Sequence, residues 1–559
     1  MESARNIPIM SFLDQIFASL ETSADRALLV GLSDSGHEAI TGHDLLNRVA
    51  QARAFLAGRN LGKGDRCALL APNGIDWVAM DLAIMAEGLI VVPLYSRQAA
   101  PELVTMMKDC SPSIIVCGDA ALRDEVVANW PEAPPQFLFD EVFTQNAPPS
   151  PVASPAPHDD SDPVAIIYTS GTSGEGKGVV LTAGNLAHML ACTSGRLDQL
   201  MQGQAVQDKV FHYLPFCFAG SWIMLLTCLL RQSQLTINTD LTKLAEQMRA
   251  AAPHYFLNVP QLLERMRKGV DEQLWKAGGL PRAIYSHAKS AYMHAREGRK
   301  TFSDSIWLGL ANAIIFPAIR KKMIGSNLKA LICGSAPLNV ETQLFFTMIG
   351  IPVLQVYGLT ETTAICTMDV PGRFEPGRVG PAIVGIEMKV SENQEILVRG
   401  PNIFPGYWNR PQETQNALHD GWFHTGDQGE VNPAGNWKIT GRIKNLIILG
   451  SGHNVAPEGI EEEMESRLPG AQIVLVGNGR SYLSAVITGS VNADQAQAAL
   501  DAVNATLPHY KQVRAFRISA EPFTIDNGLL TANGKLKRDL IARRFQTEIE
   551  EMYAIKQAV

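Results

Sequence analysis

The apolar run Val164–Tyr168 leads directly into Thr169-Ser170-Gly171-Thr172-Ser173-Gly174-Glu175-Gly176-Lys177-Gly178, and this junction constrains the fold more than any other stretch. The run reads as a buried strand. Four glycines and five Ser/Thr lie between Thr169 and Thr182. Glycine lets the backbone approach an anion closely, hydroxyl and N–H groups donate to it, and Lys177 adds a cation. Taken alone such a stretch could equally be a surface loop; after a buried strand it reads as a cradle for polyphosphate. Gly171 to Lys177 satisfies G-x-x-x-x-G-K, but Gly178 stands where a P-loop hydrolase carries the hydroxyl that ligates Mg²⁺. That departure disfavours the P-loop reading.

With 559 residues, 46% hydrophobic and 19% charged, the chain is too long for one core, and at least two domains are expected. A net charge of −8 gives no electrostatic reason for nucleic-acid binding. The eight cysteines form no C-x-x-C pair and sit in apolar surroundings, as reduced core thiols do. The N-terminus has acidic Glu2 and no signal-like apolar run, so a cytoplasmic location is expected. Two apolar segments, Ser221–Leu230 and Ser305–Ile319, fall short of the ~20 residues that span a bilayer and are expected to be core helices. The second, followed by Arg320-Lys321-Lys322, also admits a peripheral position on a membrane surface.

Patterning up to Cys117 alternates helix (39–61, 75–86, 101–109) with strand (66–70, 89–93, 113–117), which predicts a largely parallel α/β sheet. Six prolines between Pro148 and Pro163 mark a linker feeding the phosphate strand. A second α/β alternation fills 211–357, and short strands with Gly/Pro/Asn turns over 378–439 suggest a β subdomain. After Gly441 a compact α+β unit is expected, with helices over 457–468 and 493–507 and strands over 473–476, 482–488 and 515–518.

Further chemistry lies at strand ends. Gln355-Val356-Tyr357-Gly358-Leu359-Thr360-Glu361 sends an aromatic ring, a hydroxyl and a carboxylate out of one strand. Tyr357 can flank a purine, Thr360 can donate to phosphate, and Glu361 offers Mg²⁺ a hard oxygen. Asp427 is expected in a glycine-flanked turn, where a carboxylate can accept from two ribose hydroxyls. Arg442 follows in Thr440-Gly441-Arg442.

Tyr168 to Thr182, Tyr357 to Glu361, Gly421 to Asp427, Gly441 to Lys444 and Gly534-Lys535, in this order and spacing, resemble the adenylate-forming superfamily over nearly the whole chain. The strings Gly441–Ile448, Val455–Glu458 and Asn527–Arg538 look most like the long-chain fatty acyl-CoA synthetases. The resemblance implies a large N-terminal domain, 1–441, of α/β subdomains plus a β subdomain, and a small mobile α+β domain, 442–559, hinged near Lys444. It implies ATP, Mg²⁺ and CoA: a carboxylate attacks the α-phosphate to give acyl-adenylate and pyrophosphate, and a pantetheine thiol then displaces AMP. Thr169 to Gly174 and Lys177 would grip pyrophosphate, and Lys535 would bridge carboxylate and α-phosphate. Glu361 would hold the metal, Asp427 and Arg442 the ribose. Gly334-Ser335-Ala336-Pro337 would wall the adenine and acyl pocket, and Ser451, Gly452 and His453 would face the acceptor.

Phe216, Phe218 and Trp222 belong to an apolar stretch that suits an aliphatic or aryl acid better than an amino acid, whose ammonium would want a carboxylate partner. Phe218 stands where many relatives carry histidine, Ala183 replaces the histidine usual after the phosphate loop, and Gly176 replaces its proline. The alternative within the superfamily is an acyl-AMP ligase that delivers to a carrier-protein pantetheine or another nucleophile. From another class, a P-loop ATP-binding hydrolase remains.

Overall fold

The computed structural model describes residues 10–23, 25–33, 36–143, 154–169, 176–203, 206–325, 327–531 and 534–554. The chain forms two compact units. Among the described residues, the first comprises those within 10–169, 176–387 and 399–421, and the second those within 388–398 and 422–554.

The first unit is built on two sheets. A six-stranded sheet runs in the order Gln136–Leu138, Ile114–Cys117, Arg66–Leu70, Ile90–Leu94, Pro163–Thr169, Lys177–Thr182. All neighbours in it are parallel except the last pair, so the phosphate segment is bracketed by an antiparallel pair at the sheet edge. An eight-stranded sheet has a parallel centre, Val353–Tyr357, Ala330–Cys333, Tyr255–Asn258, Lys209–His212, Gln234–Asn238 and Ala27–Ser33. Antiparallel strands close its two edges.

The helix Ile75–Ala86 packs against strands of both sheets, and Asp76 is its only residue that is not buried. Such a helix must be apolar all round, and Trp-Val-Ala-Met-Asp-Leu-Ala-Ile-Met supplies that with one exception, Asp81. Its carboxylate accepts from Trp222 Nε1 at 3.0 Å. Burial pushes the Asp81 carboxyl up to about 7, with the Trp222 donor opposing the shift. Trp222 lies on the buried helix Ala219–Leu230, as expected of Ser221–Leu230.

Two expectations change. The helix read over 39–61 is a strand to Thr41 and a helix Gly42–Ala57, because Thr41 and Asp44 form a capping box. The segment read as a short core helix over 305–319 is a continuous helix from Phe302 to Met323 with much of its length exposed. Thr301 and Asp304 cap its start, and a π-helical turn at Ala311–Ile315 precedes Pro317, whose missing N–H interrupts the ladder.

In the second unit, Glu395–Arg399, Trp422–Val431 and Trp437–Arg442 form antiparallel pairs. A three-stranded sheet follows, in the order Gln472–Val476, Leu483–Thr488, Val513–Ser519. Strand alternation divides its side chains between two cores. Ile473, Leu475, Ala485 and Ile487 pack with helices Glu458–Arg467 and Ala493–Asn504. Val474 and Val486 pack with Phe523, Leu529, Ile541 and Phe545. This is the α+β pattern read from the sequence. Every cysteine is free, and all but Cys192 are buried.

Candidate functional site

The phosphate segment enters on Pro163–Thr169 and leaves on Lys177–Thr182. Ser170, Gly171, Thr172, Ser173 and Gly174 lie outside the described residues. Thr169 and Lys177 face each other in register across the pair. A Cβ at Gly178 would come within 2.7 Å of Ile166 Cγ2 and 3.2 Å of the Tyr168 ring. Sheet packing therefore requires glycine where a P-loop carries its hydroxyl.

A strap, Pro401–Trp408, crosses beside this strand. Val180 N–H donates to Gly406 O at 3.2 Å and Trp408 N–H to Gly178 O at 2.8 Å, and Val179 bridges to Tyr407. The strap is also tied to the turn after Val353–Tyr357. Phe404 N–H donates to Glu361 O at 2.9 Å, Thr363 Oγ1 to Asn402 O at 2.7 Å, and buried Asn402 Nδ2 to Thr362 O and Ile365 O at 3.1 Å each. Asn185, at the start of helix Ala183–Met201, donates to Pro401 O and Ile403 O.

These bonds bring three side chains together. Tyr407 Oη donates to Glu361 Oε1 at 2.8 Å, and Lys177 Nζ lies 5.1 Å from the centroid of the Tyr407 ring. Burial and then the Glu361 charge push the Tyr407 hydroxyl well above its ordinary range, so it stays protonated and serves as a donor. Glu361 is thereby oriented at a strand end beside the phosphate strand. Among the described residues no group of three His, Cys, Asp or Glu gathers as a metal cage. A lone, oriented carboxylate fits a Mg²⁺ that takes its other ligands from phosphate and water. Tyr407 was not read from the sequence. Its only local signal is an aromatic residue after Pro405-Gly406, and its partner Glu361 is 46 residues away.

The parallel strands Tyr255–Asn258, Ala330–Cys333 and Val353–Tyr357 end side by side, the position at which open α/β sheets bind ligands. Gly334 N–H donates to Asn258 O at 3.2 Å, and a Cβ there would meet Val356 Cγ2 at 2.6 Å. Ser335 follows with φ +73, a costly conformation for serine, and Ser335, Ala336 and Pro337 are exposed. Tyr357 is buried, and Gly358 accommodates the return of Ala364, whose oxygen would lie 2.3 Å from a Cβ. Thr360 and Glu361 share a 3₁₀ turn and are half-buried.

Of the three acyl-pocket candidates, Phe216 and Trp222 are fully buried. Phe216 sits 5.2 Å from Trp77 and stacks on His212 at 4.9 Å. Burial holds the His212 imidazole down to about 4, so it is neutral. Phe218 is half-buried against Tyr95, 5.6 Å away.

In the second unit, Asp427 lies inside the strand Trp422–Val431 rather than in a turn, directly after Gly426 at φ +70. Its cross-strand partner is Arg442. Arg442 Nε stands 2.8 Å from Asp427 Oδ1 as an ion pair, without the alignment of a hydrogen bond. Asp427 N–H donates to Thr425 Oγ1 at 3.1 Å, and Thr425 Oγ1 in turn to Ile396 O at 2.8 Å.

Lys444 is exposed on a 3₁₀ turn, Ile443–Asn445. Asn445 Nδ2 donates to Glu458 Oε1 at 2.6 Å. Ser451 Oγ and His453 Nδ1 are 2.9 Å apart, and the His453 ring stacks on Tyr510 at 4.4 Å; Gly452 supplies a positive φ between them.

Lys535 stands on an exposed hairpin. Gly534 N–H donates to Thr531 O, Lys535 N–H to Thr531 Oγ1 at 3.1 Å, and Leu530 pairs with Leu536. The hairpin is anchored by Arg538, which makes a bidentate pair with buried Glu461, and Glu461 also accepts from Leu475 N–H at 2.7 Å. Removing one member of such a pair strands a buried charge at a cost of about 3–5 kcal/mol.

The chain is 25% identical to the long-chain-fatty-acid–CoA ligase FadD15 of Mycobacterium bovis, over 96% of both chains. It is 27% identical to the chloroplastic long-chain-fatty-acid–[acyl-carrier-protein] ligase AEE15 of Arabidopsis thaliana, over 96% of this chain and 86% of that one. The adenylation domain of a carboxylate reductase from Mycobacterium chelonae superposes with TM-score 0.78 at 20% identity, over 98% of this chain and 92% of that one, and shares its fold. The model of the AMP-binding enzymes matches residues 16–408 and that of their C-terminal domain residues 444–557, so the chain belongs to the AMP-binding enzyme family.

Proposed function

We propose that this enzyme uses ATP to activate a carboxylic acid, a fatty acid in the leading reading, as an acyl-adenylate with release of pyrophosphate, and then forms a thioester with CoA. The observation that carries the reading is the gathering of Lys177 and Glu361 about Tyr407 beside the strand that delivers the phosphate segment. Attack of one anion on another is governed by charge, so cations and oriented donors about the phosphorus supply much of the catalysis. Lys177 would neutralise phosphate charge. Glu361 would offer Mg²⁺ one hard oxygen, and the ion would in turn screen the phosphates. Asp427, with its oxygen set by Arg442, suits ribose hydroxyls. Lys535, on a hairpin held by Arg538 and Glu461, would bridge the two reacting anions.

The domain division at Gly441 with a hinge at Lys444 belongs to this proposal. It provides a way to withdraw Lys535 and present Ser451–His453 to the thiol. Apolar Phe218 favours a hydrocarbon acid. A water-insoluble acid reaches an enzyme most readily from a bilayer, so the reading includes peripheral contact with a membrane. Because one relative is named for a carrier-protein acceptor, an acyl-carrier thiol is the second reading.

The test is pyrophosphate release across a panel of carboxylic acids, with and without CoA or a pantetheinylated carrier protein. Acid-dependent pyrophosphate with a CoA-dependent thioester is the expected result. Acid-independent orthophosphate release would overturn it in favour of a hydrolase.

A further inference from the structure

The helix Phe302–Met323 is, among the described residues, the one helix long and apolar enough to cross a membrane by length and composition. Its packing assigns it another position. Ala311, Ile315, Phe316 and Ile319 belong to the core around Phe256, Leu331 and Phe346, and Asp304 is turned inward to Thr301 and His294. A helix with one side committed to protein has only its other side for lipid.

That outer side presents Phe302, Ile306, Leu310 and Ile314, four residues apart and therefore on one face. Phe302 is 84% exposed, Ile306 53% and Ile314 58%. Between Phe302 and Ala318 the only charged residue is the inward-turned Asp304. A helix face bathed in water normally carries charge along its length, and this one carries none for more than four turns.

A second observation is electrostatic. Residues 273–323 hold nine basic and two acidic side chains, a net of +7 within a chain of net −8. Lys321 and Lys322 are exposed at the end of the apolar helix. The neighbouring helix Gly279–Arg296 runs antiparallel, with His294 against Asp304 and His287 stacked on Trp307. Its start therefore lies toward the Leu310–Ile314 end. There Leu280 is 69% exposed, and Trp275, with the Arg282 guanidinium over its ring, is 65% exposed.

We propose that this face seats the enzyme on an anionic phospholipid bilayer, the helix lying in the membrane plane with Phe302, Ile306, Leu310 and Ile314 at the acyl boundary and the lysines and arginines among the headgroups. Charge favours this occupant: a symmetric pairing of two copies through this helix would bring Lys321 and Lys322 of both toward one interface, whereas anionic lipid complements them. The proposal deepens the membrane contact of the functional reading and rests on it only for its biological sense. Docking is measured without substrate, so its failure would leave the ligase reading intact.

Flotation of the full-length protein with vesicles of phosphatidylcholine alone, or of phosphatidylcholine with phosphatidylglycerol, tests it. Binding to the anionic vesicles, weakened by salt, is expected, with little binding to the neutral ones. I306E/I314E should lower the partition coefficient by about tenfold or more. K321A/K322A should lower it by about fivefold per lysine. Val384→Glu, at an equally exposed apolar residue elsewhere, should bind as the parent does. All these side chains face outward, so melting midpoints and pyrophosphate release with a short, water-soluble acid should be unchanged. If I306E/I314E nevertheless melts early, K321A/K322A carries the test alone. Absence of binding to anionic vesicles, binding indifferent to both double variants, or a parent dimer that I306E/I314E splits into monomers would overturn the proposal.

Discussion

Tyr407 donates its hydroxyl to Glu361 at 2.8 Å while its ring lies beneath Lys177. One side chain thus orients the candidate metal ligand and flanks the candidate phosphate cation. The strap that carries Tyr407 is itself hydrogen-bonded to both the phosphate strand and the Glu361 turn, so the three residues are positioned together.

Tyr407→Phe keeps the ring and deletes the donor. A hydrogen bond to a charged group contributes about 1.5–3 kcal/mol, so the Mg²⁺ concentration required for half-maximal pyrophosphate release should rise by about tenfold or more. The melting midpoint should move little, because the ring still packs. Glu361→Gln should weaken Mg²⁺-ATP use more severely, and Y407F should add little to it, since both act through one carboxylate. Unchanged Mg²⁺ dependence in Glu361→Gln would show that another group carries the metal.

Lys535→Ala should abolish adenylate formation while largely sparing thioester formation from supplied acyl-adenylate, because the proposed bridge between carboxylate and α-phosphate is needed only while the adenylate forms. Arg538→Ala provides the contrast. It strands buried Glu461, so it should lower stability by about 3–5 kcal/mol and reduce both half-reactions together. Equal loss of both steps in Lys535→Ala, with normal stability, would remove Lys535 from the bridging role.

The parts of the site most legible in the sequence were those written within a few residues. The strand before the phosphate segment, the turn that holds Thr360 and Glu361, and the α+β unit after Gly441 each follow from local periodicity and turn residues. What was not legible depends on distant chain. Tyr407 acquires its meaning 46 residues from Glu361, and Asp81 meets Trp222 across 141 residues. Asp427 was expected in a turn because glycines flank it, but pairing with the strand Trp437–Arg442 extends its strand through them. Helix Phe302–Met323 was read short because only its apolar run was counted, whereas its cap, Thr301 with Asp304, lies before that run and its basic end, Arg320 to Lys322, lies after it.

Asp81 gives a pH-dependent prediction. Its folded-state carboxyl is raised from 3.8 to about 7 by burial, so the folded chain holds a proton that the unfolded chain releases above pH 4. Its contribution is fully present below the unfolded value, falls as pH rises toward 7, and is constant above that; the span is on the order of 4 kcal/mol. Asp81→Asn keeps an oxygen to accept from Trp222 and cannot ionise. The variant should therefore be more stable than the parent at pH 8, with the difference shrinking toward pH 4 in urea titrations. A pH-independent difference would show that the Asp81 carboxyl is ionised in the fold.

Lys444 bears on the proposed hinge. It is the middle residue of the turn Ile443–Asn445, exposed, in a segment where Gly441 leaves no room for a Cβ beside Ala456 and Asn445 is tied to Glu458. Proline at 444 fits the φ of a 3₁₀ turn, but its ring disfavours helical backbone at Ile443. Lys444→Pro should therefore oppose the turn seen here and bias the chain toward an arrangement in which Ile443 is extended. If rotation at this point separates the two half-reactions, the variant should lose one of them selectively: either pyrophosphate release with normal thioester formation from supplied acyl-adenylate, or the reverse. Lys444→Ala, which leaves the backbone free, should retain both. A Lys444→Pro enzyme with parental turnover in the complete reaction would show that the chain does not swivel at this residue. One that loses both steps together with its melting transition would show that the turn is needed for folding and not for exchange between two states.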